Sequence, residues 1–259
     1  MIHLTVGKEI KITGLPLNIK NHLKAALTIK NPAYEKIIRV TGGNRYAAQA
    51  FYKYYKDVED IFVVPRGLRT RLIAFFKTAN ITNYEIKETF IERALLETLP
   101  KHAVELRDYQ ETLVEDALRN REGIIQLSTG GGKTFVALEI IYQLRLSATI
   151  LVQNTVLLDQ FASECEKIFG FKPGKIGGGK KVVKDVTIAT WQSLTADETL
   201  LWELTQKTSL LIVDECQGAI SSERVKVLSS FHPKHLYGLS ATPFRSKDDG
   251  RSASVGFYF

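Results

Sequence analysis

The sequence predicts an α/β protein: a parallel sheet with helices on both faces over residues 105–259, preceded by a small α/β domain over residues 1–90, with 91–104 as the linker. Three observations predict it. From about residue 105, short apolar runs alternate with helical stretches, the pattern of strands joined by crossover helices. The 259 residues are 44% hydrophobic and 24% charged, a globular balance and a length that suits two domains. The net charge of +7 is confined to the front: residues 1–100 hold 16 Lys and Arg against 9 Asp and Glu, whereas the remainder holds 19 of each.

The elements follow in order. Glu9–Thr13 alternates polar and apolar residues like a half-buried strand, and Gly14-Leu15-Pro16 ends it. From Leu17 to Leu27 the residues Ile19, Leu23, Ala26 and Leu27 recur at helical spacing, and Lys30-Asn31-Pro32 supplies a turn. Asp60–Val64 reads as a strand, Leu68–Thr78 as a helix with an apolar face of Leu72, Ile73, Phe75 and Phe76, and Tyr84–Lys87 as a short strand. The connector ends near Pro100. Beyond it, strands are expected at Gly123–Leu127, Ala148–Val152, Val186–Ala189, Leu210–Val213 and His235–Leu239, with helices such as Phe135–Leu146 and Val156–Phe169 between them. No apolar run approaches the roughly 18 residues of a membrane span. The N-terminus lacks a secretory pattern, so a cytoplasmic protein (host cytoplasm if viral) without a membrane partner is expected. Cys165 and Cys216 have no metal-ligand spacing and are expected as reduced structural thiols.

Chemistry concentrates in Ser128-Thr129-Gly130-Gly131-Gly132-Lys133-Thr134, between an apolar strand and an amphipathic helix. A loop this rich in glycine can turn backbone N–H groups around phosphate oxygens, and the helix N-terminus adds its positive dipole end. Lys133 is expected to reach the β/γ-phosphates and the Thr134 hydroxyl to ligate Mg²⁺, although Leu127 stands where such loops usually begin with glycine. The partner site is Leu210–Gln217, an apolar strand ending in Asp214-Glu215. Asp214 would hold Mg²⁺ through its water shell and Glu215 would activate the attacking water. ATP and Mg²⁺ are therefore the expected cofactors, with Lys133, Asp214, Glu215 and Gln217 as the catalytic set.

In these residues the chain from about 105 onward resembles the first RecA-like domain of superfamily 2 helicases of the UvsW and XPB group, and the fold implied is a RecA-like P-loop sheet. Leu106–Gln110 resembles that group's opening motif, which implies Arg107 and Gln110 as nucleotide contacts, Gln110 at the adenine edge. Leu151–Gln160 is similar to the first strand-tracking motif, with Gln153-Asn154 in place of the usual Pro-Thr; Gly177-Gly178-Gly179-Lys180 and Thr190–Leu194 resemble the next two. Asn154, Thr155, Gly178, Gly179, Thr190 and Gln192 would line a track for one nucleic-acid strand, since such groups position phosphates without reading sequence. Ser240-Ala241-Thr242-Pro243-Phe244-Arg245 resembles the motif that couples hydrolysis to movement, and Gln217, which replaces the usual His, can still hydrogen-bond toward Ser240 or Thr242.

The basic front segment is similar in pattern to the small N-terminal domain of phage UvsW-type helicases. Phe51-Tyr52-Lys53-Tyr54-Tyr55-Lys56 interleaves rings with cations, and Lys53 with Arg66, Arg69 and Arg71 are its candidate nucleic-acid contacts. The resemblance implies an ATP-dependent DNA helicase or translocase, monomeric, acting on branched, single- or double-stranded DNA in recombination, replication or repair. A restriction-system motor, an RNA helicase with RNA as the partner, and a non-catalytic binding module are the alternatives. Nothing after Phe244-Arg245 resembles a second RecA-like domain, and Ser254–Phe259 reads like a strand cut partway. The chain is accordingly expected to be a fragment that hydrolyses nucleotide poorly and does not unwind alone.

Overall fold

The computed structural model describes residues 1–31, 33–46, 48–95, 99, 105–243 and 255–259. Two compact units emerge, residues 1–89 with 244–258, and residues 90–243 with 259. The described residues 255–258 thus group with the first unit, whereas the sequence places them in the second. They are not a strand either: residues 255–257 form a single turn of 3-10 helix. Val255, Phe257 and Phe259 are buried, so the apolar residues of this segment are covered without joining a strand.

The first unit runs β1 (Ile2–Val6), β2 (Glu9–Thr13), α1 (Leu17–Ala26), β3 (Thr28–Lys30), α2 (Tyr34–Val40), β4 (Phe51–Lys53), β5 (Lys56–Val58), β6 (Ile61–Pro65), α3 (Arg69–Thr78) and β7 (Tyr84–Glu88). Its main sheet has the order β5-β6-β2-β1-β7, and β3-β4 form a separate ribbon. Neighbours in the sheet are antiparallel except for β1 and β7. Period-two alternation makes this sheet: Ile2, Leu4 and Val6, Ile10 and Ile12, Phe62 and Val64 all point to one buried side. Leu23 of α1 and Leu72 and Phe76 of α3 are the helical residues buried with them.

The second unit contains α4 (Asp108–Arg119), β8 (Glu122–Gln126), α5 (Lys133–Leu144), β9 (Ala148–Val152), α6 (Thr155–Phe169), β10 (Gly174–Gly177), β11 (Lys180–Lys181), β12 (Val186–Thr190), α7 (Trp191–Ala196), α8 (Glu198–Lys207), β13 (Leu210–Asp214), α9 (Ser222–Leu228) and β14 (His235–Ser240). The strand order is β11-β10-β12-β9-β13-β14-β8. All neighbours are parallel except the edge hairpin β10–β11. Every residue of β9, β12, β13 and β14 is buried, so both faces of the sheet are covered, as expected of parallel strands with unbroken apolar runs. Parallel strands share one carboxyl edge. The phosphate loop after β8, Asp214-Glu215 at β13, Ser240–Thr242 at β14 and the segments after β9, β10 and β12 leave the sheet there. Cys165 and Cys216 are buried and free, their thiols pushed up to about 12 by burial. No helix among the described residues is long and apolar enough to cross a membrane.

Candidate nucleotide site and nucleic-acid face

The phosphate loop is a set of local turns. Leu127 donates its backbone N–H to Ser240 O at 3.0 Å, extending the β8–β14 pairing by one residue, and Gly131 N–H turns back to Ser128 O at 2.9 Å. Gly132, at φ +84°, is the N-cap of α5. The unpaired N–H groups of that helix's first turn therefore face the loop. Lys133 is the first helical residue, and its ammonium is ion-paired with Glu215.

Glu215 reaches that position through its backbone. It follows the buried end of β13 at φ +50°, ψ +53°, left-handed for a non-glycine residue. Gln217 then donates from its amide to the second Glu215 carboxylate oxygen. Ser240, at the end of β14, donates its hydroxyl to Gln217 Oε1 at 2.6 Å and accepts from Thr242 N–H at 3.0 Å. A continuous polar chain thus runs Lys133–Glu215–Gln217–Ser240–Thr242. Its spacing is set by the sheet, because β13 pairs with β14 and β14 with β8. Ala241 lies beside it, its carbonyl 3.5 Å from Gln126 Nε2. Phe244 and Arg245 lie outside the described residues.

A cavity of about 400 Å³ opens here, lined by Thr129, Gly130, Gly132, Lys133, Thr134, Asp214 and Glu215 and walled by Leu157 and Phe161 of α6. That volume falls within the ordinary range of small-ligand sites. Backbone donors and the Lys133 ammonium meet the Asp214 and Glu215 carboxylates across it, with Glu164 of α6 also in the lining, a donor set that fits a polyphosphate with a hard cation. Burial pushes the Asp214 carboxyl above its ordinary value; Lys133 opposes the rise and Glu215 adds to it. A divalent cation would relieve that cost. Among the described residues no three His, Cys, Asp or Glu side chains form a metal cage.

Gln110 is bonded to the protein through both ends of its amide. It is 5% exposed, its Oε1 accepts from Arg107 N–H at 2.9 Å and its Nε2 donates to Gly131 O at 2.8 Å. It caps α4 and clamps the loop. Tyr109, which the sequence reading passed over, donates its hydroxyl to the same Gly131 carbonyl at 3.2 Å, and Arg107 reaches that hydroxyl at 3.4 Å.

The other half of the carboxyl edge brings the tracking candidates together. Asn154 caps α6, accepting from Leu157 N–H at 3.0 Å, and Thr155 begins that helix. Gly178 and Gly179 form the tip of the β10–β11 hairpin; a methyl group at Gly178 would lie 3.5 Å from Thr155 Cγ2. Asn154, Thr155, Gly178, Gly179 and Gln192 are exposed. Thr190 is 4% exposed, and its hydroxyl caps α7 and donates to Ser193 Oγ at 3.0 Å.

The arginines of the first unit do not form the expected grip. Arg66 is only 3% exposed, held in the tight turn between β6 and α3, and cannot meet a phosphate at the surface. Arg69 is tied to Glu88 at 2.6 Å. Arg71 is exposed, its guanidinium 5.8 Å from the Phe257 ring centroid. Lys53 is exposed on β4. Of the ring-and-lysine stretch, Tyr55 stacks on Phe62 at 5.3 Å and Tyr54 meets Phe257 edge-on at 5.0 Å, while Phe51 stays 53% exposed.

Residues 103–245 match the family described as type III restriction enzyme, res subunit. The DNA 3'-5' translocase XPB2 of Sulfurisphaera tokodaii is 37% identical over 182 residues, covering 68% of this chain and 40% of that protein. The probable helicase D10 of Escherichia phage T5 is 26% identical over 145 residues, 56% of this chain and 31% of that one. The chain thus spans well under half the length of these two relatives. The crystal structure of the UvsW helicase from bacteriophage T4 superposes with a TM-score of 0.67 at 20% identity, over 99% of this chain and 97% of that one, a likeness of fold. With this family match, the motif order and the sheet in hand, the chain belongs to the type III restriction enzyme res-subunit family and is a superfamily 2 helicase-type protein similar in sequence to XPB-type translocases.

Proposed function

We propose that this chain carries the ATP site and one nucleic-acid track of a DNA helicase or translocase that remodels branched DNA during recombination, replication or repair, working as a monomer in the cytoplasm. The family uses ATP, and the single observation that carries the reading is the polar chain from Lys133 to Thr242. The loop's N–H groups cradle the phosphates. Lys133 exchanges Glu215 for a phosphoryl oxygen, a swap of one anion for another with little change in its own charge balance. Glu215, relieved of that ion pair, is free to take a proton from the attacking water. Thr134 and Asp214 would hold Mg²⁺, which would supply charge neutralisation to the phosphates. Gln217 changes partners as Glu215 moves, and Ser240 passes that change to the backbone at Thr242. On this reading Gln110 and Arg107 hold the base end, and Asn154, Thr155, Gly178, Gly179, Thr190 and Gln192 hold one strand. The basic first unit adds a second grip on DNA.

Among the described residues no arginine lines the cavity. In related NTPases an arginine supplied to the phosphates raises turnover about 10³- to 10⁵-fold, so the 259-residue polypeptide is expected to bind nucleotide and hydrolyse it slowly. Titration with a fluorescent ATP analogue and Mg²⁺ tests the site: Lys133→Ala should weaken binding at least about tenfold, the scale of losing one charge-assisted bond. Unchanged affinity would remove Lys133 from the reading. The family's description favours one other role, a restriction motor. Stimulation of turnover by branched over linear duplex supports remodelling, and dependence on a specific recognition sequence supports restriction. Stimulation by RNA alone would replace DNA as the partner.

A further inference from the structure

Within the first unit, the described residues of 28–53 stand apart from the main sheet as an arm rooted on one buried residue. Asn31, 2% exposed, donates its side-chain amide to Gln49 O at 2.8 Å, accepts from Ala33 N–H at 3.0 Å, and donates its backbone N–H to Ala50 O at 2.9 Å. Those bonds close the base of the excursion. Beyond them little is buried: α2 contributes no buried residue. Val40 is 80% exposed and Tyr46, beside Arg45 at the tip, 99%. Lys36, Arg39 and Val40 share one exposed face of α2, at spacings of three and four.

The β3–β4 ribbon carries the sharper feature. Its register sets Lys30 opposite Phe51 and Thr28 opposite Lys53. Directly opposed residues, and residues two apart, share a face. One face therefore presents Phe51, 53% exposed, between Lys30 and Lys53. The arm holds five cations, Lys30, Lys36, Arg39, Arg45 and Lys53, against the single acid Glu35. None of the five is ion-paired among the described residues, whereas Lys20 and Lys24 share Asp57, Lys56 meets Glu9 and Arg69 meets Glu88. Lys11 is also unpaired, but its cross-strand partners are Thr5 and Val63; no exposed ring stands beside it.

We infer that this arm binds single-stranded nucleic acid, with a base stacked on Phe51 and adjacent phosphates met by Lys30 and Lys53. An exposed ring between cations has no use for a duplex, whose base faces are already stacked; it matches an unpaired base and the phosphates on either side. The arm replaces the buried Arg66 and the paired Arg69 as the nucleic-acid grip of the first unit. The inference rests on the reading of the whole chain as a nucleic-acid motor and places one of its contacts.

Fluorescence anisotropy of the full chain with labelled oligothymidine, across a salt series, tests it. Phe51→Ala should weaken binding roughly tenfold, the scale of one lost base–ring stack, with the salt slope unchanged, and Phe51→Trp should restore affinity. The Lys30→Glu, Lys53→Glu double variant should flatten the salt slope by about 1.4, two phosphate contacts on a single strand. Lys11→Glu is the control for general charge. These side chains are exposed, so melting temperatures should match the parent. Wild-type affinity and slope in both Phe51→Ala and the double variant would overturn the arm. If Gln192→Ala weakened binding in that case, the motor reading would stand without it. Failure of the parent chain to bind oligothymidine, or competition for the arm by an acidic peptide but not by DNA, would overturn the arm as a nucleic-acid site.

Discussion

In the second unit the polar groups beside the phosphate loop are buried, with Asp214 at 4%, Gln217 at 8% and Ser240 at 0% exposure, and Gln217 and Ser240 are bonded to each other, whereas in the first unit the arm's cations and two of its rings stand in solvent, Phe51 at 53% and Tyr46 at 99%. A buried polar group must find its partner inside the protein or lose the free energy of its hydration. The sheet of the second unit therefore dictates its site residues nearly atom by atom. The arm is under no such constraint, because folding is indifferent to what its exposed face carries. Changes at equivalent backbone positions should consequently have unequal effects in the two units.

Glycine gives the largest contrast. Gly132 and Gly42 have similar left-handed φ values, +84° and +66°. A methyl group at Gly132 would collide with the Gln110 amide, whereas at Gly42 it would meet nothing within 4 Å. Gly132→Ala should cost about 2–3 kcal/mol, left-handed strain plus the displaced Gln110–Gly131 hydrogen bond, and abolish tight nucleotide binding. Gly42→Ala should cost only about 1 kcal/mol and leave nucleotide binding intact. Calorimetric melting with nucleotide titration measures both. Equal effects would mean that Gln110 yields freely and does not clamp the loop.

The same contrast decides what could be read without a structure. β2 and β9 coincide with their expected bounds, and β8, β12, β13 and β14 fall within a residue or two. An apolar run that a parallel sheet covers on both sides is a strong signal. β1 carries the same alternation in Ile2, Leu4 and Val6, although the expected elements begin only at Glu9. The ribbon strands β3 and β4 are three residues each, too short for periodicity, and α2 buries nothing and so shows no apolar stripe. In the site, Lys133, Asp214 and Glu215 announce themselves by spacing. The Gln110 clamp and Tyr109 do not, because both depend on where α4 lies beside the loop. Arg66 shows the limit from the other side: sequence gives its charge, and only the fold gives its burial.

Ser240→Ala probes the buried network more gently. It removes the donor to Gln217 Oε1 and the acceptor for Thr242 N–H, leaving both without that partner. A buried group so stranded costs about 1–3 kcal/mol, which for a chain of this size lowers the melting temperature by roughly 2–10 °C. Nucleotide affinity should persist, because Ser240 does not line the cavity, while stimulation of turnover by DNA should fall. Full stimulation in Ser240→Ala would break the proposed relay, and with it the idea that burial in the second unit serves coupling.

The smallest effect is expected at an exposed tie in the first unit. Asp57 meets Lys20 at 2.9 Å and Lys24 at 2.6 Å, joining one turn of α1 to β5. The hydrogen bonds from Lys24 and then Lys20 hold its carboxyl below the ordinary aspartate value, which is about 4. A depressed folded-state value means that the unfolded chain takes up protons first. The tie therefore stabilises the fold above about pH 4 and is lost as pH falls through the lowered value. Solvent screens such a pair, so Asp57→Asn should lower the melting temperature slightly at pH 7. The difference from the parent should vanish in acid. Melting curves at stepped pH read this directly. A gap that widened as pH fell would show that Asp57 acts by something other than its charge, and that the exposed edge of the first unit is built with the same dependence on specific bonds as the carboxyl edge of the second.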